Sequence, residues 1–230
     1  MITVIPVTGI PEVGAGDELA GLVADRIDLD DGDVVVVTQK VVSKVEGRTV
    51  AIDPDDRARL AAVVDGESVR ILRRRDDLVI TETRHGFVCA NAGVDRSNVK
   101  HGTVALLPVD ADRSARRIRD ALRARTGREV AVIVSDTFGR AWRRGVTDVA
   151  IGCAGIGAIV DLRGTQDRTG RTLTVTEVCV ADEIAGAAEL VMGKARGVPV
   201  AIVRGVDGAW LRESSVADEV VRPPQEDLFR

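Results

Sequence analysis

The sequence predicts an α+β fold in which mixed β-sheets are flanked by helices. Short segments rich in Val, Ile and Leu alternate irregularly with a few helical patterns, so they do not form repeated βαβ units. Aromatic residues are scarce, with two Trp, three Phe and no Tyr in 230 residues. The core must therefore be built from aliphatic side chains, and the abundant Val gives the strand segments their character.

Nine segments are predicted as strands because they carry runs of β-branched and other aliphatic residues. The run of four valines after Asp33 predicts a buried strand. The predicted strands are Ile2–Val7, Asp33–Thr38, Val69–Leu72, Leu78–Thr81, Phe87–Ala90, Thr103–Leu107, Glu129–Ser135, Leu173–Val180 and Val198–Val203.

Helix boundaries are predicted from capping residues. Asp17 is a plausible N-cap of the first helix, and Asp53 followed by Pro54 forms a suitable N-cap and N1 pair for the second. Gly127 follows a basic last turn, as expected of the residue that ends a helix. The predicted helices are Asp17–Arg26, Pro54–Val64, Asp112–Arg125 and Ala181–Ala195.

Length and composition predict one globular unit over residues 1–230, with a possible subdomain near residues 70–130. Hydrophobic residues make up 45% of the chain and charged residues 30%, which is ordinary for a folded globular protein. The net charge of −4 lacks the basic excess of a nucleic-acid-binding surface, and the scarce aromatics offer no platform for stacking bases. Nucleic acid is therefore not an expected partner.

Cysteine and histidine usage predicts a reducing compartment and oxygen-ligated metals. The three cysteines are odd in number and form no CxxC pair, which disfavours a disulfide framework. With only two histidines in the chain, a bound metal would be Mg²⁺ or Mn²⁺ rather than zinc. The N-terminus does not resemble a signal peptide, and no apolar run reaches about 18 residues. We therefore expect a cytoplasmic protein with no membrane partner.

Phosphate-loop motifs are missing from the chain. GxxxxGK[ST] does not occur, because Gly193-Lys194 is followed by Ala195, and GxGxxG does not occur either. The glycines of GCAGIG at 152–157 have the wrong spacing for that motif. They are interpreted as sites of close backbone packing.

The segment AVIVSDTFGRAWRRG at 131–145 places a carboxylate and a hydroxyl at the end of a buried strand. Asp136 and Thr137 could ligate a hard metal, and Arg140, Arg143 and Arg144 could meet phosphate or carboxylate oxygens. Equally, Asp136 and Thr137 could cap a turn while the arginines are solvated. The residues alone leave both readings open.

Three further segments allow either a functional or a structural interpretation. In VCANAGVDRSN, Asp95 could ligate a metal and Asn98 could contact a base or phosphate, or the segment could be an Asx-rich turn. In VVVVTQKVVSKVEGR, Lys44 could reach a phosphate or lie at an exposed strand edge. Asp182 and Glu183 could face a metal, although complementing a helix dipole is the simpler reading.

Taken together, five segments resemble the coenzyme F420-0:L-glutamate ligase (gamma-glutamyl ligase) family in both order and spacing. The resemblance extends from about Ile2 to Arg204. The five segments are ITVIPVTGIPEVGAGDELA, DGDVVVVTQKVVSKVEGR, VCANAGVDRSN, VIVSDTFGRAWRRGVTDVAIG and TEVCVADEIAGAAELVMGK.

The resemblance implies a GTP-dependent ligase that joins L-glutamate to the lactyl-phosphate tail of F420-0, with further γ-linked glutamates in some cases. It implies Mg²⁺ or Mn²⁺ as a cofactor, with K⁺ as an additional candidate. Phosphoryl transfer from GTP to the tail carboxylate would give an acyl phosphate, which the glutamate amine then attacks. The family fold is its own, neither P-loop nor ATP-grasp, and its members are homodimers. The nitroreductase-like C-terminal domain and flavin of some bacterial relatives are not expected here.

Carried over residue by residue, the family's metal ligands fall on Asp95, Asp136 and Thr137. We also predict that Arg143 and Arg140 bind anionic substrate, so that Asp95, Asp136 and Arg143 are the predicted catalytic residues. The predicted nucleotide contacts are Ile10, Pro11, Glu12, Val13, Gln39, Lys44, Asn98, Met192, Gly193, Lys194, Ala195, Arg196, Gly197, Val198 and Pro199.

The chain departs from the family pattern at two of these positions. Some members carry Ser or Thr at the position of Gln39, and some carry a metal-binding Glu at the position of Lys194. A protonated lysine cannot ligate a metal, so either a second metal has another ligand or Lys194 contacts phosphate. Two other functions stay open: a ligase of the same fold acting on a different carboxylate, and a nucleotide-binding regulatory protein without catalysis.

Overall fold

The computed structural model of the chain describes residues 1–53 and 55–228. Its strands are β1 (Thr3–Pro6), β2 (Val34–Thr38), β3 (Thr49–Ala51), β4 (Ser68–Arg75), β5 (Leu78–Thr83), β6 (Val88–Ala90), β7 (Thr103–Ala105), β8 (Ala131–Gly139), β9 (Val146–Ala154), β10 (Val160–Asp161), β11 (Glu177–Val178) and β12 (Val200–Arg204). Its helices are α1 (Leu19–Ala24), α2 (Gln39–Val45), α3 (Arg57–Glu67), α4 (Ala111–Thr126), α5 (Val180–Met192) and α6 (Val216–Glu219).

A five-stranded mixed sheet in the order β1-β12-β2-β8-β9 forms the centre of the fold. Only β2 and β8 run parallel, with Thr38 opposite Ser135, and the other neighbours are antiparallel. Three smaller sheets pair β3 with β7, β4 with β5 and β6, and β10 with β11. The α+β prediction with mixed sheets and flanking helices is confirmed.

Helices cover both faces of the central sheet. Successive side chains of a strand point to opposite faces. Val35 and Val37 of β2 pack in a core with residues of α1 and α4, whereas Val34 and Val36 pack in a second core with α5. All four valines are fully buried, and each such burial contributes about 1.5–3 kcal/mol relative to exposure. Among the described residues, no helix is both long and apolar enough to cross a lipid bilayer.

Close contact between α4 and β9 explains Gly152. A Cβ atom placed on Gly152 would lie 2.3 Å from the carbonyl carbon of Ala111, at the start of α4. The buried Asp112 carboxylate also ties this turn to β9, because it accepts a hydrogen bond from the Cys153 amide at 2.8 Å. The interpretation of GCAGIG as close backbone packing is therefore confirmed at Gly152, whereas a Cβ atom on Gly157 would meet the Arg212 side chain.

The helix caps differ in part from the predicted ones. Gly127 ends α4 in the left-handed region with φ 69°, as predicted. The N-cap of α1 is Glu18 rather than Asp17, whose carboxylate instead accepts from the Gly14 amide in the preceding turn. The N-cap of α3 is Asp56 rather than Asp53. Pro54, predicted at N1, lies outside the described residues.

Several element predictions are wrong. The segment Leu173–Val180 forms a strand only at Glu177–Val178, and its last residue already belongs to α5. Within this segment Leu173 donates its amide hydrogen to the Thr165 carbonyl in an irregular loop. The prediction also omitted α2, α6, β3, β9 and β10. Two of these, α2 and β9, position the functional residues described next.

Candidate functional site

The parallel pair β2 and β8 brings two polar segments to one edge of the central sheet. β2 ends at Thr38, opposite Ser135 of β8, so the residues after Thr38 and those around Asp136 become neighbours. Helix α2 starts directly after β2, and its second residue is Lys40. This juxtaposition of a lysine with a buried aspartate is the centre of the candidate site.

Lys40 forms an ion pair with Asp95, in which Nζ and Oδ2 are 2.7 Å apart. The two side chains are only 10% and 25% exposed. Asp95 also accepts a hydrogen bond from the Ser97 amide at 2.7 Å. Burial would raise the pKa of Asp95, but the bonds from Lys40 and Ser97 hold it below its ordinary value. Asp95 is therefore a fixed anion.

Asp136 is buried beside other charged groups. Burial raises its pKa to about 7, against the lowering effects of the Thr137 amide and Lys40, and the nearby Asp95 and Asp148 raise it further. Three carboxylates and one ammonium group thus interact here. Such an imbalance of negative charge favours a bound cation, because a cation would let all three carboxylates ionise.

Asp148 on β9 joins the site through the register of the β8–β9 hairpin. It stands opposite Thr137 and accepts hydrogen bonds from the hydroxyls of Ser135 at 3.0 Å and Thr137 at 2.7 Å. Only 4% of Asp148 is exposed. Asp148 is absent from the predicted site residues because β9 is absent from the predicted strands. A predicted antiparallel strand after the 140–145 turn would place Asp148 opposite Thr137.

The first of two adjoining clefts has a volume of about 230 Å³, and we call it the lysine cleft because Lys40, Lys44 and Lys194 line it. Glu12, Asp148 and Glu189 are its acidic residues, and the last two are again absent from the sequence predictions. Burial, with the charge of Asp148, raises the pKa of Glu189. The predicted nucleotide contacts that line it are Ile10, Pro11, Glu12, Val13, Lys44, Asn98, Met192, Gly193, Lys194, Gly197, Val198 and Pro199.

Hydrogen bonds hold the rim of the lysine cleft. Lys44 pairs with Glu12 across it. The Asn98 side chain donates to the Lys194 carbonyl at 2.9 Å, which ties the loop after β6 to the loop after α5. That second loop begins at Gly193, where α5 ends. Residues far apart in sequence are thus connected around one cavity.

Three predicted nucleotide contacts do not line the lysine cleft. Gln39 is completely buried, and its amide donates to the Ser43 hydroxyl at 2.6 Å and the Leu106 carbonyl at 2.9 Å. It therefore anchors α2 to the segment after β7. Ala195 and Arg196 belong to the loop after α5 but are not among the lining residues.

The second cleft has a volume of about 160 Å³, and we call it the carboxylate cleft because Asp95 and Asp136 line it. Gly139 and the turn at Asn91–Gly93 contribute further to its wall. Thr137 borders both clefts, and Lys40 reaches from the lysine cleft to Asp95. The boundary between the two clefts is therefore made of groups suited to binding phosphate or metal.

The predicted metal ligands Asp95, Asp136 and Thr137 all line the carboxylate cleft. Even so, within residues 1–53 and 55–228 no three His, Cys, Asp or Glu side chains converge closely enough to form a ready-made metal cage. Lys40 occupies one oxygen of Asp95, and the Thr137 hydroxyl is bonded to Asp148. Binding a metal here would require these contacts to rearrange.

The remaining predicted residues lie outside both clefts. Arg143 is exposed in the 140–145 turn between β8 and β9, immediately beyond Gly139. In the same turn Arg140 donates to the Arg144 carbonyl at 3.0 Å. Asp182 and Glu183 open α5, and Asp182 accepts from the Ala150 amide at 2.8 Å. Their position at the helix start agrees with the dipole reading.

Comparison with known proteins gives one consistent result. The family model described as F420-0:Gamma-glutamyl ligase matches residues 8–205. Similar proteins named coenzyme F420:L-glutamate ligase come from Methanothermobacter thermautotrophicus (44% identical, covering 100% of this chain and 99% of the relative) and Methanopyrus kandleri (42%, covering 95% and 94%). Another, from Archaeoglobus fulgidus, is 40% identical and covers 100% of this chain and 96% of the relative.

Proposed function

Because this chain belongs to the F420-0:gamma-glutamyl ligase family, we propose that it uses GTP to join L-glutamate to coenzyme F420-0. One observation carries the GTP part of the proposal. Residues from four separate parts of the chain, near positions 10, 44, 98 and 192–199, line a single lysine cleft that ends at Thr137 and Asp148.

Activation of the acceptor is the chemical problem that GTP solves. A carboxylate is a poor electrophile, so its oxygen first attacks the γ-phosphorus of GTP. The new O–P bond forms as the bond to the β,γ-bridging oxygen breaks, and GDP leaves with that electron pair. The glutamate amine then attacks the acyl carbon, inorganic phosphate leaves, and the amine loses a proton as the amide forms.

The lysines of the lysine cleft match the charge of a nucleoside triphosphate. Lys40, Lys44 and Lys194 present ammonium groups to one cavity, and each can donate a charge-assisted hydrogen bond to a phosphate oxygen. Lys44 can exchange Glu12, which is 80% exposed, for a phosphate at little cost. In this arrangement Lys194 contacts phosphate rather than replacing a metal ligand.

The donor set at the boundary fits a hard divalent cation. Asp95, Asp136, Asp148 and Thr137 offer only oxygen atoms, which Mg²⁺ and Mn²⁺ prefer, and Lys40 offsets part of the carboxylate charge around Asp136. A divalent ion held by these residues would neutralise charge on the phosphoryl group during transfer. Potassium is a further candidate cation, to be tested alongside the divalent ions.

The deciding experiment is mass spectrometry of F420-0 after incubation with the protein, GTP, L-glutamate and Mn²⁺. We expect a mass increase of one or more glutamyl residues, which is lost in Asp136→Ala. The series of products also reports whether γ-linked chains are made. A folded protein that binds GTP but leaves F420-0 unchanged would contradict the proposal and point to another carboxylate acceptor.

We further propose that the protein is a homodimer. The eight-residue strand β4 has no buried residue, and Val69 and Ile71 on it are 66% and 44% exposed. A long exposed strand that displays aliphatic side chains is a typical site of association.

A further inference from the structure

A third cavity adjoins the carboxylate cleft at Phe138. Its volume is about 320 Å³, and Phe87, Val88 and Phe138 line it, so we call it the phenylalanine cavity. Phe138 is shared with the carboxylate cleft. The two cavities therefore meet at Phe138, which follows Asp136 and Thr137 in β8.

Two aromatic side chains meet in the phenylalanine cavity. Phe87 and Phe138 both line it, and their ring centroids are 6.1 Å apart with an interplanar angle of 73°. Val149, Val220 and Val221 extend the apolar wall. Phe87 and Phe138 are only partly buried, so a flat ligand can lie against them.

We propose that the phenylalanine cavity and the carboxylate cleft together form the acceptor site, with the deazaflavin ring against Phe87 and Phe138 and the tail carboxylate at Thr137. This assignment rests on the proposed function. It places the acceptor carboxylate on one side of Thr137 and GTP on the other. The phosphoryl group then crosses the boundary while both substrates stay in their own cavities.

The lining of the two cavities agrees with the structure of the acceptor. Phe87, Phe138 and four valines give the ring end an apolar wall, which a flat heterocycle requires, and Arg222 and Asp227 line the same cavity. The phosphodiester between ring and tail would lie near Gly139, where the turn carrying Arg140, Arg143 and Arg144 begins. Asp182 also lines the phenylalanine cavity, but its carboxylate is engaged with the Ala150 amide.

The test uses a ring-only probe, the deazaflavin ribitol compound that lacks the phospholactate tail. Its binding to the full-length protein is followed by fluorescence of the ring, with GTP affinity measured in parallel.

Two variants alter the phenylalanine cavity. Phe138→Ala removes an aromatic face, and Val88→Asp places a charge on a residue that is already 43% exposed, which spares the core. Val175→Asp is the matched control, because Val175 is 83% exposed and lines no described cavity.

We expect both cavity variants to weaken binding of the probe by about tenfold or more, since an aromatic contact and its apolar surroundings are lost. GTP affinity and the control variant should be unchanged. Equal binding of the probe by all variants, or none by the wild type, would overturn the acceptor site even if F420-0 is ligated. Conversely, weakened binding in the two variants without any ligation of F420-0 would uphold the ring site and reject the proposed function.

Discussion

At the scale of single residues, Lys40 and Lys44 lie one turn apart on α2 and differ in what holds them. Lys40 pairs with the mostly buried Asp95, whereas Lys44 pairs with Glu12, whose side chain is 80% exposed. Removing one partner of a buried ion pair lowers the free energy of unfolding more than removing one partner of an exposed pair, because the remaining buried charge cannot be hydrated. Removing Lys40 should therefore cost more stability than removing Lys44.

We predict that Lys40→Met lowers the free energy of unfolding by about 1–3 kcal/mol, because Asp95 is left without its cation. The matched Lys44→Met should cost less than about 1 kcal/mol, since its partner is exposed, and should mainly raise the KM for GTP. Urea denaturation and steady-state kinetics measure the two effects. Equal losses of stability in both variants would contradict the assignment of the buried pair.

Arg143 tests the role of the turn between β8 and β9. We predict that Arg143→Ala raises the KM for F420-0 by about tenfold while the KM for GTP is unchanged, because one charge-assisted contact to the acceptor is lost. Arg168→Ala, another exposed arginine that lines no described cavity, serves as the control. If kcat and both KM values stay at wild-type levels in Arg143→Ala, the turn does not contact the substrate.

The residues that the sequence could and could not predict differ in a physical way. Asp95, Asp136, Lys44 and most of the predicted nucleotide contacts lie in local motifs, and the structure brings them to two adjoining clefts. Asp148 enters the site only because β9 pairs with β8, so no local motif marks it. Gln39 lies within a motif, but the end of β2 directs its side chain into the core.

At the scale of elements, β9 was difficult to predict because glycines and a buried aspartate interrupt its apolar pattern. Its pairing with β8 and the approach of α4 make it a strand, and both are tertiary effects. Helix α2 follows β2 without a turn residue between them, so no boundary signal separates the two. By contrast, β2 is recognisable from its run of valines, and α5 is recognisable from an alanine-rich pattern that continues along the helix.

The contact between α4 and β9 predicts a large effect at Gly152. Gly152→Ala should lower the free energy of unfolding by about 1–3 kcal/mol, because the new methyl group meets the Ala111 backbone, which cannot move aside cheaply. Gly66 near the end of α3 has open space around its missing Cβ, so Gly66→Ala should stabilise the protein by about 0.4–1 kcal/mol. Thermal or urea unfolding measures the stability of both variants. If both were stabilised, or both destabilised, the described packing around these glycines would be contradicted.

Helix α6 carries a pH-dependent contribution to stability. Burial would raise the pKa of Glu219, but hydrogen bonds from Arg212 and the Ile159 amide lower it to about 2. The ordinary pKa of a glutamate is about 4.5. The contribution of Glu219 to the free energy of unfolding is therefore complete above that pH and is lost as the pH falls toward 2.

We therefore predict that Glu219→Gln is less stable than the wild type at neutral pH and that the difference shrinks as the pH falls from about 5 to about 2. Urea denaturation across this range measures the difference. Glu226→Gln, at an exposed position near the C-terminus, should show no such convergence. A difference that is independent of pH would mean that Glu219 is not held as an anion by Arg212.

At the scale of the whole molecule, the exposed strand β4 predicts association through the β4–β5–β6 sheet. Val69 and Ile71 lie two positions apart on this edge strand, and both are exposed. We expect light scattering of the wild type to give the mass of two chains. Replacing both residues with Glu should give one chain, because carboxylates would be buried without partners. Val175→Glu, on an exposed loop position, should stay dimeric. A wild type that is monomeric at micromolar concentration, or a double variant that remains dimeric, would remove β4 from the interface.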